Sequence, residues 1–513
     1  MIVTNQPVPM APNSTRRKRR SRRKDGPALV FVNTAESFRT GHENKDLRLV
    51  IRHQAARSGC RNRGRTRDDT MTERDPQDGT VSARDQPPPV PRILPSYNGY
   101  ETMRIRFDFD ITCLTSFTDI DFAANACSLL QHNLRRRGFS LQSLPTCFLA
   151  YLPSRYGSRP FLDDAMHCVA ARAAHMVGLA TSPTLHTALY SKALASLRAA
   201  VKAGDSWLIP EVYCATRLLV LYETIGPPNQ NALIFHSNAG IDLIKQMDPT
   251  SEMSAFNQIL IRSQGPYIIA KAMFEREPTL FETSEWKRFF DTAASTETDA
   301  DSQLIWKFMG AVSFLPGILR DVHALHLEEH TPARKPSSDY MARGTDILER
   351  TERMYWAFQE GHRCYQRRPP YPSSLFDLPE AAESPGRIRL RGYFFNSMLF
   401  FCRLRATFIQ NKAERAASEA EAQAFAARSL LATGRAQSLD PVLAWHLEER
   451  NSVSRSVVRT KEQWDAVREQ EIEETGGVEL AGFLLRRLQA WLGLWSEETL
   501  AAESHFKGVV GRP

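Results

Sequence analysis

Apolar residues that return every third or fourth position, stretch after stretch, are what most narrows the folds open to this chain. Between Leu185 and Lys202, the residues Leu185, Leu189, Ala193, Leu197 and Val201 recur at every fourth place. That spacing draws one stripe along a helix and turns it toward a core. Leu208 to Ile225 is apolar nearly all round, as a central helix is, and Gly226-Pro227-Pro228 ends it with residues that cannot continue a helix. Related patterns predict helices over Leu162 to Val177, Asn231 to Met247, Ala255 to Phe274, Gln303 to Leu327 and Ile347 to Phe358. Beyond the break at Pro369 to Pro372 they resume over Arg389 to Arg415, Ala420 to Leu431, Gln463 to Glu473 and Leu480 to Leu492. Tyr97 to Gly157 is mixed, with one helix expected around Phe122 to Arg137. No period-two alternation has comparable strength, so the expected fold class is all-α, a multi-helix, bundle-like domain over 97–513.

Charge separates a second region from this one. Residues 1–67 hold 17 basic and 4 acidic side chains, or +13, in a chain whose total is +8, which leaves −5 for the remainder. Arg16, Arg17, Lys18, Arg19, Arg20, Arg22, Arg23 and Lys24 put eight cations within nine residues. Such a block repels itself and cannot pack, so 1–30 is expected to be a disordered basic arm. Its functional reading is a nuclear import signal that doubles as a phosphate-binding arm; the plainer one is a solvated charge block. In the element over 31–58, Leu47, Val50, Ile51 and Ala55 have helical spacing, with Arg48, Arg52 and Arg57 on the opposite side, where they can meet DNA phosphates or simply water. From 59 to 96 the composition shifts to Arg, Asp, Gly and Pro, ending in Pro87-Pro88-Pro89-Val90-Pro91, and reads as a disordered linker.

No secretory leader is expected, and the most apolar stretches, Leu304 to Leu319 and Tyr393 to Leu404, are expected to fall short of the roughly 20 residues that cross a bilayer. Residues 1–24 have no acid, a trait of mitochondrial transit peptides, but their arginines are contiguous instead of spread along an amphipathic helix. The eight cysteines, at 60, 113, 127, 147, 168, 214, 364 and 402, are never closer than fourteen positions, which excludes a CxxC knuckle and points to reduced, buried thiols.

Three patterns invite a chemical reading. Asp108-Phe109-Asp110-Ile111-Thr112 has the letters of a phosphohydrolase motif, but that chemistry needs a buried parallel strand and a magnesium site, and no such strand is expected. His323, His326 and His330 would share one side of a helix, as zinc ligands do, or be solvated where a helix runs into the Thr331-Pro332 loop. Asp163-Asp164 suits a helix N-terminus, where free amides favour negative charge, better than a catalytic pair. His167 and His175 sit in an apolar helix and read as hydrogen-bonded core or boundary residues. No Gly-rich phosphate loop, nucleophile elbow or HExxH is present, so no enzyme, cofactor or metal site is expected.

The order of features also carries a family likeness. The basic run is followed by Phe31-Val32-Asn33 and Lys45-Asp46-Leu47-Arg48-Leu49-Val50-Ile51-Arg52-His53-Gln54, which looks like a short element near the start of many fungal transcription-factor-like proteins. Further on come Leu162-Asp163-Asp164-Ala165-Met166, then His186 through Leu194, the apolar helix from Tyr213 to Tyr222, and Phe235-His236-Ser237-Asn238-Ala239-Gly240. With these, the part from Ser96 onward resembles the helical regulatory domain of fungal zinc-cluster transcription factors, over about four-fifths of the chain. The resemblance implies a nuclear regulator of metabolic or secondary-metabolite genes, with DNA and the transcriptional machinery as partners and no membrane. It departs in one respect: the family's six-cysteine, two-zinc module is not recognisable, because Cys60 is the only cysteine before Cys113. Three accounts follow: the arm makes phosphate contacts while a partner transcription factor reads the bases, the helical domain acts as a coregulator without DNA contact, or a zinc cluster lies outside this stretch of sequence. A helical scaffold without a transcriptional role is the alternative from another class.

Overall fold

The computed structural model describes residues 95–118, 147–329, 339–439, 451–464 and 481–493, apart from breaks at 180–181, 204–208, 227–229, 369–372 and 382, together with isolated positions between 440 and 450. Among these residues the fold is all-α with no strand. In chain order the main helices are α1 Pro95–Phe107, α2 Pro160–Met176, α3 Pro183–Lys202, α4 Pro210–Thr224, α5 Gln230–Lys245, α6 Ala255–Glu275 and α7 Ser284–Thr296. They continue as α8 Ala300–Val312, α9 Leu315–Glu329, α10 Tyr340–Gln366, α11 Pro385–Phe408, α12 Lys412–Leu439 and α13 Asn451–Arg459, and 481–493 is also helical. The expected helix over Phe122 to Arg137, and Asp465 onward in that over Gln463 to Glu473, lie outside the described residues.

Local chemistry fixes most of the starts. Proline opens α2, α3, α4 and α11, where its missing amide would have had no intrahelical partner. Ser182, Ser254, Asp299 and Ser384 accept from amides of the first turn of α3, α6, α8 and α11. The helix α7 was not anticipated, yet Trp286, Phe289, Phe290, Ala293 and Ala294 have helical spacing and all five are buried.

Two expected helices are each two. Arg389 to Arg415 is interrupted at Ile409–Asn411, where the Asn411 side chain accepts from Ala413 N (2.9 Å) and Glu414 N (3.2 Å) and so begins α12 afresh. Gln303 to Leu327 is interrupted at Ser313–Phe314, because Pro316 brings no amide to the turn. The new N-terminus is plugged from outside: Glu282 accepts from Thr279 N (2.9 Å) and Gly317 N (3.1 Å), while Thr279 Oγ1 donates to Ser313 O (2.9 Å). Contrary to the expectation that every apolar stretch is too short, Ala300–Glu328 has the length and composition to cross a membrane. It is nonetheless two helices, and 67% of its most apolar window is buried inside the protein.

The packing is largely sequential. The helix α2 lies on α3 and α4, α4 on α5, α8 on α7 and α10, α10 on α11, and α11 on α12, which carries α13. Helix α6 joins the earlier helices to the later ones, touching α4 and α5 on one side and α8 and α9 on the other. Pro266 inside α6 leaves Arg262 O without its usual helical donor, and α4 docks where that ladder is weakened. Arg217 Nη2 donates to Ser263 O (3.0 Å) and to Thr118 O (2.8 Å), and Tyr213 Oη donates to Leu260 O (3.2 Å). The later helices close over stacked rings, Phe308 on Phe358 at 4.0 Å with Phe394 and Phe401 beside them.

A Cβ at Gly317 would stand 2.4 Å from Glu282 Oε2 and expel the plug. Gly317→Ala and Glu282→Ala should each cost about 1–2 kcal/mol in urea unfolding. Because both remove the same contact, the double variant should cost clearly less than their sum; additive costs would show that Glu282 does not hold α9.

Candidate functional site

Arg16, Arg17, Lys18, Arg19, Arg20, Arg22, Arg23, Lys24, Arg48, Arg52 and Arg57 all lie outside the described residues. The other patterns have definite places. Asp110 caps a short 3-10 helix, Ile111–Phe117: it accepts from Thr112 N (2.9 Å), Thr112 Oγ1 (2.8 Å) and Tyr100 Oη (2.8 Å). Asp108, at φ 49°, is the left-handed residue that ends α1, so the phosphohydrolase spelling is helix punctuation with no strand beneath it. Both ring nitrogens of His323 face Arg276 Nη1, at 2.9 and 2.8 Å, so a cation already occupies that side of the ring; His330 is outside the described residues. Among the described residues no three His, Cys, Asp or Glu groups gather as a metal site, and no disulfide joins the cysteines at 113, 147, 168, 214, 364 and 402.

Asp163 and Asp164 divide their work. Asp163 accepts from Gly157 N (2.9 Å) before the helix, and buried Asp164 holds Lys192 Nζ of α3 at 2.6 Å. His167 Nε2 lies 2.7 Å from Tyr156 Oη, as a boundary histidine should, and burial pushes its pKa down.

The four segments that carry the family likeness fall in α2, α3, α4 and α5, and these four helices contribute to a buried polar cluster that sequence reading did not assemble. The guanidinium of Arg172 (α2) lies over the Tyr222 ring (α4) at 4.2 Å, and Tyr222 stacks on Tyr190 (α3) at 4.3 Å. Tyr190 Oη lies 2.8 Å from Nε2 of His236 (α5). His186 Nδ1 is 2.9 Å from Tyr222 Oη, and its ring centre is 5.1 Å from that of His175. Burial raises the pKa of Glu223 and lowers those of His236 and His186 to about 4, with Arg172 and His175 adding to the fall at His186. Both histidines are therefore neutral at physiological pH. Glu223 Oε1 has no hydrogen-bond partner, so the cluster carries an unmet acceptor beside its buried cation. Gly226 is what lets Arg172 in, since a Cβ there would be 1.6 Å from Nη2. Its helix-ending role was legible in the sequence; this second role was not.

A second feature is open space. A cavity of about 370 Å³ between α6, α8 and α11 is bounded by Phe148, Arg262, Asp299, Asp301, Arg389 and Tyr393, and a wider cleft of about 810 Å³ adjoins it, sharing Ile259 and Arg262. Both have the size of small-molecule pockets. The inner carboxylates are engaged, Asp299 with Ser302 N (2.8 Å) and Asp301 with Tyr365 Oη (2.5 Å), so the arrangement suits enclosing a ligand better than proton transfer to one.

Gly226→Ala should destabilise the fold by about 2 kcal/mol or more, since it evicts a buried guanidinium. A histidine whose folded pKa is about 4 against 6.5 unfolded contributes stability that is full above pH 6.5 and lost as pH falls toward 4. For His236 this amounts to about 3 kcal/mol, and Glu223, raised instead, acts in the opposite sense. His236→Gln keeps a polar group beside Tyr190, and should flatten the stability–pH curve between 4 and 6.5 by close to one proton. An unchanged slope would show that His236 is not held neutral by the fold.

The chain matches no family model, no curated protein and no solved structure.

Proposed function

We propose that the protein is a nuclear transcription regulator of the fungal zinc-cluster-factor type, controlling a metabolic or secondary-metabolite gene set without a zinc cluster in this stretch of sequence. The observation that carries the proposal is the run from Arg16 to Lys24, eight cations in nine residues within a segment of +13, joined to a remainder of −5. Such a division suits an arm for import receptors and DNA phosphates and a body for regulation. Support for the likeness comes from packing: its four separated segments lie on four helices that share one buried cluster. Phosphate contacts position a protein without reading bases, so a partner factor supplies sequence choice.

The test is the location of a fluorescent fusion in a fungal host. The intact chain should concentrate in the nucleus, and deletion of Arg16 to Lys24 should move most of it to the cytoplasm. A cytoplasmic distribution unaltered by the deletion would favour the helical scaffold instead. In vitro, duplex DNA should be bound weakly, with a steep salt dependence whose slope falls by about 0.9 for each phosphate contact the deletion removes. A slope that is the same with and without the arm would contradict its role at DNA.

A further inference from the structure

We propose that the cavity between α6, α8 and α11 binds an uncharged, mainly apolar small molecule that carries a ring system. The site does not depend on the regulatory reading, because all its lining residues lie between Thr118 and Tyr393 of the helical body. Three helix faces make its walls. Ile259 and Pro266 of α6 are two turns apart, Ile305 and Met309 of α8 are one turn apart, and so are Leu390 and Tyr393 of α11, so each pair shares one side of its helix.

Polar bonds fix the positions of these walls. Behind α6, Arg217 Nη2 donates to Ser263 O (3.0 Å) and to Thr118 O (2.8 Å), and both residues line the cavity. On the other side Tyr365 of α10 donates to Asp301 of α8 (2.5 Å) and accepts from Arg387 of α11, which ties the two remaining walls together. Walls held in this way cannot close over the space by collapse, so a volume of about 370 Å³ is kept in an interior that otherwise packs closely.

The charge of the lining decides what suits that volume. Two acids, Asp299 and Asp301, stand with two arginines, Arg262 and Arg389, so the formal sum is zero. The acids are engaged with Ser302 N and Tyr365 Oη, and Arg262 lies 3.8 Å from Glu297. Hydroxyls are taken up as well: Ser263 Oγ donates to Leu260 O (2.8 Å), Thr118 Oγ1 donates to Thr115 O (2.9 Å), and Ser384 Oγ accepts from Arg387 N (3.2 Å). An ion entering here would shed its water beside walls of no net charge, which is costly. An uncharged molecule meets no such penalty and gains from the apolar surface. The rings of Phe148 and Tyr393 favour a planar, aromatic part.

The experiment uses two fluorescent probes that share one skeleton, uncharged phenylnaphthylamine and its anionic relative, anilinonaphthalene sulfonate, each titrated into the full chain. One saturable site is expected for the uncharged probe, with the sulfonate bound at least about tenfold more weakly. A Cβ at Gly386, which lines the cavity, would meet only Ser384 Oγ, at 3.9 Å, so a side chain there enters open space. Gly386→Leu should therefore fill the site and weaken the uncharged probe at least about tenfold, with a melting temperature close to the parent's because no existing contact is displaced. Ile305→Trp fills the same space from α8 and should act alike; if one variant fails to fold, the other decides. Absence of saturable binding by the uncharged probe overturns the proposal. So does a sulfonate that binds as tightly, which would make charge the attraction, and so does binding that the folded variants leave intact, which would place the probe elsewhere.

Discussion

The guanidinium of Arg172, held between the Tyr222 ring and the backbone of Gly226, is the contact on which the α2–α5 unit depends. A cation taken out of water costs several kcal/mol unless its surroundings replace the solvent. Here the π-face of Tyr222, from α4, covers the guanidinium, while α3 supplies Tyr190, which stacks on that ring, and α5 supplies His236, 2.8 Å from the Tyr190 oxygen. Removing any one member leaves the others buried and unmatched, so the four helices are committed to one arrangement. The same device recurs through the interior. Arg217 ties α4 to α6, Arg391 of α11 bonds Glu383 and Leu375 O, and Arg403 of α11 bonds Glu419 and Val457 O. Each is at most 2% exposed. Helices of similar apolar composition can slide on one another, and buried arginines with fixed acceptors specify which register is kept.

Much of the architecture was legible in periodicity. The helices at α2 to α6 lie close to where apolar spacing predicts them, since each buries a stripe or nearly its whole surface. What escaped was decided by polar detail. The breaks at Ser313–Phe314 and Ile409–Asn411 depend on one proline and one asparagine within otherwise continuous apolar patterns, and the first also needs Glu282 from another segment. Tyr340–Gln366 runs well past the expected Ile347 to Phe358, because its ends are polar and carry little periodic signal. The candidate site was less legible. His186 and His236 could be seen within the family-like segments, but nothing in spacing says that Tyr190 and Tyr222 stack, or that Arg172, in an apolar helix, points at Gly226, 54 positions later. His323 shows the converse: helical spacing set it beside His326, and a neighbouring arginine decided what its ring could do.

The proposed division of labour between arm and body rests on charge. The first 67 residues carry +13, so their attraction to a polyanion is long-ranged and salt-dependent, and it needs no fixed geometry. In the proposed reading, specificity beyond them comes from shape: a helical body with enclosed space between α6, α8 and α11. In that reading such a body holds a small molecule and presents a constant surface to protein partners, as the proposed regulator would require.

The central claim, a regulator brought to particular genes, is tested most directly by mapping chromatin occupancy of the tagged protein in a fungal host, with and without Arg16 to Lys24. The account predicts discrete promoter peaks for the intact chain that disappear with the arm. A well-expressed protein with no peaks in either form would contradict it.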